Sequence, residues 1–251
     1  VKFCTKLSGK DSWFLPFDKG YKDGAGNPPN PNGIMTDYLW KDILTKPKLS
    51  RIIENYAQVV EETDPDTNKK TVKQIFPRYH QLDVVEKLLA DVRRNGVGKR
   101  YLIQHSAGSG KSNSIAWLAH QLIGLEKDGR PMVDSVLVVT DRRILDKQIR
   151  DTIKQFMQVS STVAWADHSG ALRDAIKDGK RIIVTTIEKF PFIVPDLGAA
   201  HKDHKFALLI DEAHSGQSGR NSAQMNFALS GLATDDEMDN EDKINAMMNP
   251  P

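Results

Sequence analysis

Two groups of residues in this sequence have types and spacings suited to chemistry. The first is the run His105-Ser-Ala-Gly-Ser-Gly-Lys-Ser112. Gly108 and Gly110, on either side of Ser109, permit a backbone turn in which successive N–H groups converge on phosphate oxygens. The positive end of a following helix would add to that attraction. Lys111 is spaced to reach the β- and γ-phosphates of a nucleoside triphosphate, and the Ser112 hydroxyl to ligate Mg²⁺. The usual form of such a loop begins with glycine, a position held here by His105. The second group is Asp211-Glu212, which closes the apolar run Phe206-Ala-Leu-Leu-Ile210 about 100 residues later. Asp211 can hold Mg²⁺, and Glu212 can orient and deprotonate an attacking water. Chain direction separates the two carboxylates, one toward a metal and one toward a γ-phosphate. Alone, such a pair is equally a solvated cap on a strand end; after a phosphate loop it reads as the second half of a nucleotide site.

These residues need a scaffold, and the patterning supplies one. Tyr101–Gln104 is a short apolar run that predicts a buried strand leading into the loop. Ile115, Leu118, Ala119 and Leu122 recur at helical spacing and predict a helix leaving it. Gln81–Arg94 is amphipathic, with Val84, Val85, Leu88, Leu89 and Val92 on one face. Ser135–Thr140, Arg181–Thr186 and Phe206–Asp211 are β-branched or apolar runs of the kind found in strands buried on both faces. Thr162–Ala166 predicts a short strand, while Arg142–Val159 and Ser169–Asp178 predict helices. Strands alternating with helices imply an α/β fold with a parallel sheet flanked by helices. Acids at the carboxyl end of a strand in such a sheet stand where ligands bind.

Before residue 75 the pattern is less regular. Val1–Leu7 predicts a strand, followed by the aromatic patch Trp13-Phe-Leu-Pro-Phe17 and the Gly-, Pro- and Asn-rich stretch 24–33. Proline lacks an amide donor and fixes φ, so that stretch predicts an irregular connector. Thr36–Leu44 predicts a short helix capped by Thr36 or Asp37. Leu49–Val60 predicts a helix, or a helix running into a strand, and Glu61–Lys70 a polar surface turn. The expected division is residues 1–74 as an irregular connector with short helices, 75–234 as the nucleotide-binding domain, and 235–251 as an acidic loop or tail.

Composition narrows the class. The 251 residues are 39% hydrophobic and 27% charged, an ordinary globular balance. The net charge of +2 gives no global preference for nucleic acid, so any such contact depends on local basic clusters. The single cysteine, Cys4, excludes an internal disulfide framework and suits a reducing cytoplasm. No apolar run approaches the roughly 18 residues needed to span a bilayer, so no membrane role is expected. Val1-Lys-Phe-Cys is neither a signal peptide nor an initiator methionine, and an internal piece of a longer chain is expected.

Taken together, five segments resemble a known family. The loop at 105–112 and Asp211-Glu-Ala-His214 are similar to motifs I and II of superfamily-2 helicases and translocases. Adding Phe76-Pro-Arg-Tyr-His-Gln81, Val139-Thr-Asp-Arg142, Thr185-Thr-Ile-Glu-Lys-Phe190 and the extension to Gly219, the set resembles the motor subunit of type I restriction–modification enzymes. Histidine at the first loop position is usual there. The resemblance implies a RecA-like P-loop domain that uses ATP and Mg²⁺ to move along double-stranded DNA. It implies that Gln81 reads adenine, its amide matching N6 and N7, with Arg78 and Phe76 stacking on the base. It further implies that Thr140, Arg142, Arg143, Thr185 and Thr186 contact DNA phosphates, and that His214 relays nucleotide state. Implied partners are methylation and specificity subunits and a second motor domain of the same chain, whose arginine finger and motifs this sequence lacks. A P-loop kinase or transport ATPase unrelated to DNA, and a nucleotide- and subunit-binding module without turnover, are the alternatives.

Two other patterns imitate sites. Pro195-Asp196 with Asp203-His-Lys205 resembles a restriction-nuclease layout, but it falls in a connector rather than on adjacent strands. His201, His204 and His214 have no zinc-ligand spacing and no cysteine support.

Overall fold

A computed structural model of the chain describes residues 1–6, 9–22, 24–63, 68, 70–106, 108–140, 152–153, 163–166, 168–186, 189 and 204–211. Arg142, Arg143, Glu212, His214, the decoy acids Asp196 and Asp203, and the acidic run 235–242 lie outside them. The chain divides into two compact units, Val1–Ala90 with Leu102–Trp117, and Asp91–Tyr101 with Leu118–Pro251.

The first unit begins with β1 (Lys2–Lys6) and β2 (Trp13–Pro16), an antiparallel pair. A π-helical turn, Leu39–Ile43, stands where a capped α-helix was expected. Asp37 makes no cap; its carboxylate pairs instead with Lys41 one turn on, which leaves the first turn without a side-chain acceptor. Helix α1 (Lys46–Asn55) has Pro47 in its first turn, where a missing amide costs nothing. It runs into β3 (Gln58–Thr63), which pairs antiparallel with β4 (Lys70–Ile75). The segment before residue 75 is therefore more regular than an irregular connector. Its hairpin was half legible: α1 running into β3 meets one of the two readings of Leu49–Val60, whereas β4 was not expected as a strand.

Helix α2 (Tyr79–Asn95) buries Leu82, Val85, Leu88, Leu89 and Val92; four of the five residues expected on its buried face are there, while Val84 is only half-buried and Leu82 completes the stripe. At its N-terminus an aromatic cluster joins the elements of the unit. Phe17 lies 4.5 Å from Phe3 and 5.8 Å from Tyr79, and Phe76 lies 5.7 Å from Phe3, all between ring centroids. Trp117, on α3 (Lys111–Ile123), is fully buried and donates its indole N–H to the Tyr56 carbonyl at 3.0 Å.

The second unit contains the parallel sheet. Its strands are β7 (Ser135–Thr140), β8 (Val163–Trp165), β9 (Ile182–Thr186) and β10 (Phe206–Ile210), in the spatial order β10-β7-β9-β8. A two-residue hairpin, β5 (Glu126–Lys127) and β6 (Arg130–Pro131), precedes them. All three pairings in the sheet are parallel. The central strands β7 and β9 are buried on both faces, which explains their unbroken apolar runs. Helix α4 (Ser169–Lys177) covers one face, packing Leu172, Ala175 and Ile176 with Leu137, Val139 and Ile183. Each such aliphatic side chain contributes about 1.5–3 kcal/mol on burial. No helix among the described residues is long and apolar enough to cross a membrane.

One expected element is not formed. Tyr101–Gln104 pairs with no described strand, and Leu102 is 81% exposed. Four apolar residues specify burial but not a ladder partner. Local contacts hold the start of the segment elsewhere. Gly96 and Gly98 take positive φ and turn the chain after α2, and the Tyr101 hydroxyl donates to the Asp91 carboxylate at 2.6 Å. Lys99 pairs with the same carboxylate at 3.2 Å.

Candidate functional site

The phosphate-loop sequence adopts a turn that fits its chemistry. Gly108 and Gly110 lie at φ +74° and +83°, a region that side-chain-bearing residues avoid. The Ser109 amide donates to the Ser106 carbonyl at 3.3 Å. The Gly110 carbonyl accepts from Asn113 at 3.1 Å, which makes Gly110 the residue from which α3 springs. The first amides of α3, beginning with Lys111 and Ser112, have no acceptors within the helix and form a ready anion site. Ser109 is buried, and its hydroxyl has no hydrogen-bond partner among the described residues. An orphaned hydroxyl, and amides that the helix itself does not use, are the donor set that a phosphate chain requires.

Gln81 is bound to this loop. It is only 3% exposed. Its Nε2 donates to the Gly110 carbonyl at 2.8 Å, and its Oε1 accepts from the Arg78 amide at 2.8 Å. The second bond is the return half of a capping box, since Arg78 precedes the first residue of α2 and its carbonyl accepts from the Leu82 amide. Both ends of the amide are engaged. A base edge could use only its second N–H and its second lone pair. Arg78 is exposed beside it, and the Phe76 ring packs in the aromatic cluster.

His105 and His80 meet edge-to-face, with centroids 4.9 Å apart at 87°. Burial holds the His105 imidazole below its usual pKa, and the His80 and Lys111 charges act in the same direction. His80 Nε2 also lies 3.0 Å from the Ser109 carbonyl. In the sequence His80 lies within the Phe76–Gln81 motif with no role of its own. Adjacency to Gln81 at the start of a helix was the only signal available.

In the second unit, parallel pairing brings three expected residues to one edge of the sheet. Thr140 is aligned with Thr186, and the Asp211 amide donates to the Val139 carbonyl at 2.9 Å. Asp211 therefore caps the sheet's carboxyl edge, where it is buried. Thr140, Thr185 and Thr186 are 1%, 0% and 2% exposed. The first two hydroxyls face the carbonyls of Thr185 and Ala166 at 3.5 Å, and Thr186 accepts from Lys189 at 3.0 Å. Contact with a DNA phosphate would require these side chains to be uncovered.

The two residues expected to hold Mg²⁺ fall in different units, Ser112 at the start of α3 in the first and Asp211 at the end of β10 in the second. No group of three or more His, Cys, Asp or Glu side chains gathers as a metal site among the described residues. His204, one of the decoy histidines, packs on Phe206 and meets the Ser135 hydroxyl at 3.0 Å, as a structural residue does.

Comparison with known proteins places these features in context. Residues 80–234 match the family profile described as SWI2/SNF2 ATPase. The C-terminal part of the putative type I restriction enzyme MpnIIP endonuclease subunit, from Mycoplasma pneumoniae (strain ATCC 29342 / M129 / Subtype 1), is 32% identical over 149 residues, covering 55% of this chain and 68% of that protein. Among solved structures, the UvsW helicase from bacteriophage T4 superposes with a TM-score of 0.48 at 17% identity, over 75% of this chain and 57% of that one.

Proposed function

Since the chain belongs to the SWI2/SNF2 ATPase family, and so carries an ATPase domain of the superfamily-2 translocase or helicase type, we propose that it is the motor portion of the DNA-translocating subunit of a type I restriction–modification enzyme. The observation that carries the nucleotide half of this reading is the phosphate loop. Its left-handed glycines and orphaned Ser109 hydroxyl lie within the matched stretch. The restriction half is supported by the 32% identical relative and by the five motifs in order.

In this reading residues 75–234 form the first motor domain and 1–74 connect it to a nuclease. Lys111 and the amides of the loop bind the β- and γ-phosphates of ATP. Ser112 and Asp211 hold Mg²⁺, which neutralises charge on those phosphates when bound. Glu212 takes a proton from the attacking water. The first turn of α2, with Gln81, Arg78 and Phe76, meets the base. Thr140, Arg142, Arg143, Thr185 and Thr186 track duplex phosphates, and His214 couples them to the nucleotide. A second motor domain supplies the arginine finger, a contribution of about 10³–10⁵ in rate. Methylation and specificity subunits join it in the assembled enzyme.

The test is ATP hydrolysis by the assembled enzyme with and without duplex DNA. Duplex DNA should raise the rate well above that without DNA, and Lys111→Ala should abolish it in a folded protein. A rate indifferent to DNA would favour a P-loop ATPase of another kind.

A further inference from the structure

Two successive side chains at the start of α2 hold two successive carbonyls of the phosphate loop. Gln81 binds the Gly110 carbonyl at 2.8 Å, and His80 Nε2 meets the Ser109 carbonyl at 3.0 Å. A carbonyl oxygen only accepts, so His80 carries its proton on Nε2. In a planar trans peptide, the C=O of one residue and the N–H of the next point in opposite directions. Drawing the Ser109 and Gly110 carbonyls toward α2 therefore aims the Gly110 and Lys111 amides away from it. Those amides are the ones a phosphate-binding turn presents.

The tether has a reason to exist. Glycine at 110, already at φ +83°, tolerates both orientations of the Ser109–Gly110 peptide. Nothing in the loop's own sequence selects the one that donates inward. An added Cβ at Gly110 would lie 2.5 Å from Gln81 Nε2, so the loop and α2 are packed closely at this point. The His105 ring stands edge-on to His80 and limits the rotation of its imidazole.

We propose that His80 is a positioning residue for nucleotide binding: by holding the Ser109 carbonyl it keeps the Gly110 amide turned toward a bound phosphate. This rests on the nucleotide reading above. His80 touches no reacting atom in this account and acts through the backbone of the loop.

The experiment is titration of the chain with N-methylanthraniloyl-ADP in the presence of Mg²⁺, with melting temperatures recorded alongside. His80→Leu keeps bulk and removes the donor, whereas His80→Gln returns an N–H to the same chain position. Loss of one hydrogen bond corresponds to roughly three- to tenfold in affinity. His80→Leu should weaken binding by that factor, and His80→Gln should bind within about twofold of the parent, with melting temperatures alike. If His80→Leu fails to fold, His80→Asn, whose amide stops one bond short, should show the same loss. Equal weakening by Leu and Gln would overturn the donor role and leave packing in its place. Parent-like binding by His80→Leu, alongside loss of binding in Lys111→Ala, would overturn this inference alone. Parent-like binding by Lys111→Ala would remove the nucleotide reading and this inference with it.

Discussion

Replacing Gly110 by alanine tests the coupling between the phosphate loop and α2. A side chain at φ +83° costs about 1–2 kcal/mol in backbone strain. The new Cβ would sit 2.5 Å from Gln81 Nε2, closer than any relaxed contact allows. Gln81 must then withdraw and give up its 2.8 Å bond to the Gly110 carbonyl, a further loss of about 0.5–1.5 kcal/mol. The sum is roughly 1.5–3.5 kcal/mol, which corresponds to roughly 10- to 300-fold in nucleotide affinity if the loop yields rather than α2. Gly108→Ala is the control. Its φ is +74°, but an added Cβ meets nothing within 4 Å, so only the backbone cost applies. Fluorescent-ADP titration of the two variants should place Gly110→Ala below Gly108→Ala in affinity. Adding Gln81→Ala to Gly110→Ala should cost little more, because the bond is already broken, whereas Gln81→Ala alone should weaken binding. Residues that share a contact are non-additive in this way. Strict additivity, or equal affinities for the two glycine variants, would refute the clamp.

Two more outcomes follow from the proposed chemistry and from two half-buried imidazoles. Glu212→Gln should bind Mg²⁺–ATP and hydrolyse it about 10²–10⁴-fold more slowly, since the swap keeps shape and removes the base; Asp211→Asn should instead raise the Mg²⁺ concentration needed, and identical metal titrations for the two variants would reassign the roles. His105 and His120 are both held below the usual 6.5, first of all by burial, so on acidification the unfolded chain takes up their protons before the folded one does. Their contribution is complete above about pH 6.5 and is lost as pH falls below it. The melting temperature should drop between about pH 7.5 and about pH 5.5, and His120→Asn should shrink the drop; a rise on acidification would contradict the shifts.

The parts of the fold legible in the sequence were those whose burial leaves no alternative. β7 spans Ser135–Thr140 as expected because both of its faces are covered, so polar residues cannot interrupt it. α2 and α4 were legible from one buried stripe at helical spacing. Tyr101–Gln104 failed on the same kind of signal: apolarity asked for burial, and pairing depended on a neighbour the local sequence could not name. At Leu39–Ile43 the sequence marks a short helix but not its π form, and Asp37, one of the two expected caps, pairs with Lys41 instead. At the candidate site, residue types announced the loop, and its glycines take the conformation that those types require. The second bond of Gln81 and the role of His80 depend on a contact between residues 29 positions apart. Spacing within a motif holds no record of such a contact.

The central claim is movement along duplex DNA driven by ATP, and displacement of a third strand measures it directly. A triplex-forming oligonucleotide is placed downstream of the enzyme's loading site, and its release is followed with ATP, without nucleotide, and with a non-hydrolysable analogue. The account predicts release only with hydrolysable ATP, delayed in proportion to the distance from the loading site, and none with Lys111→Ala. Release independent of ATP, or DNA-stimulated hydrolysis that never displaces the third strand, would contradict it.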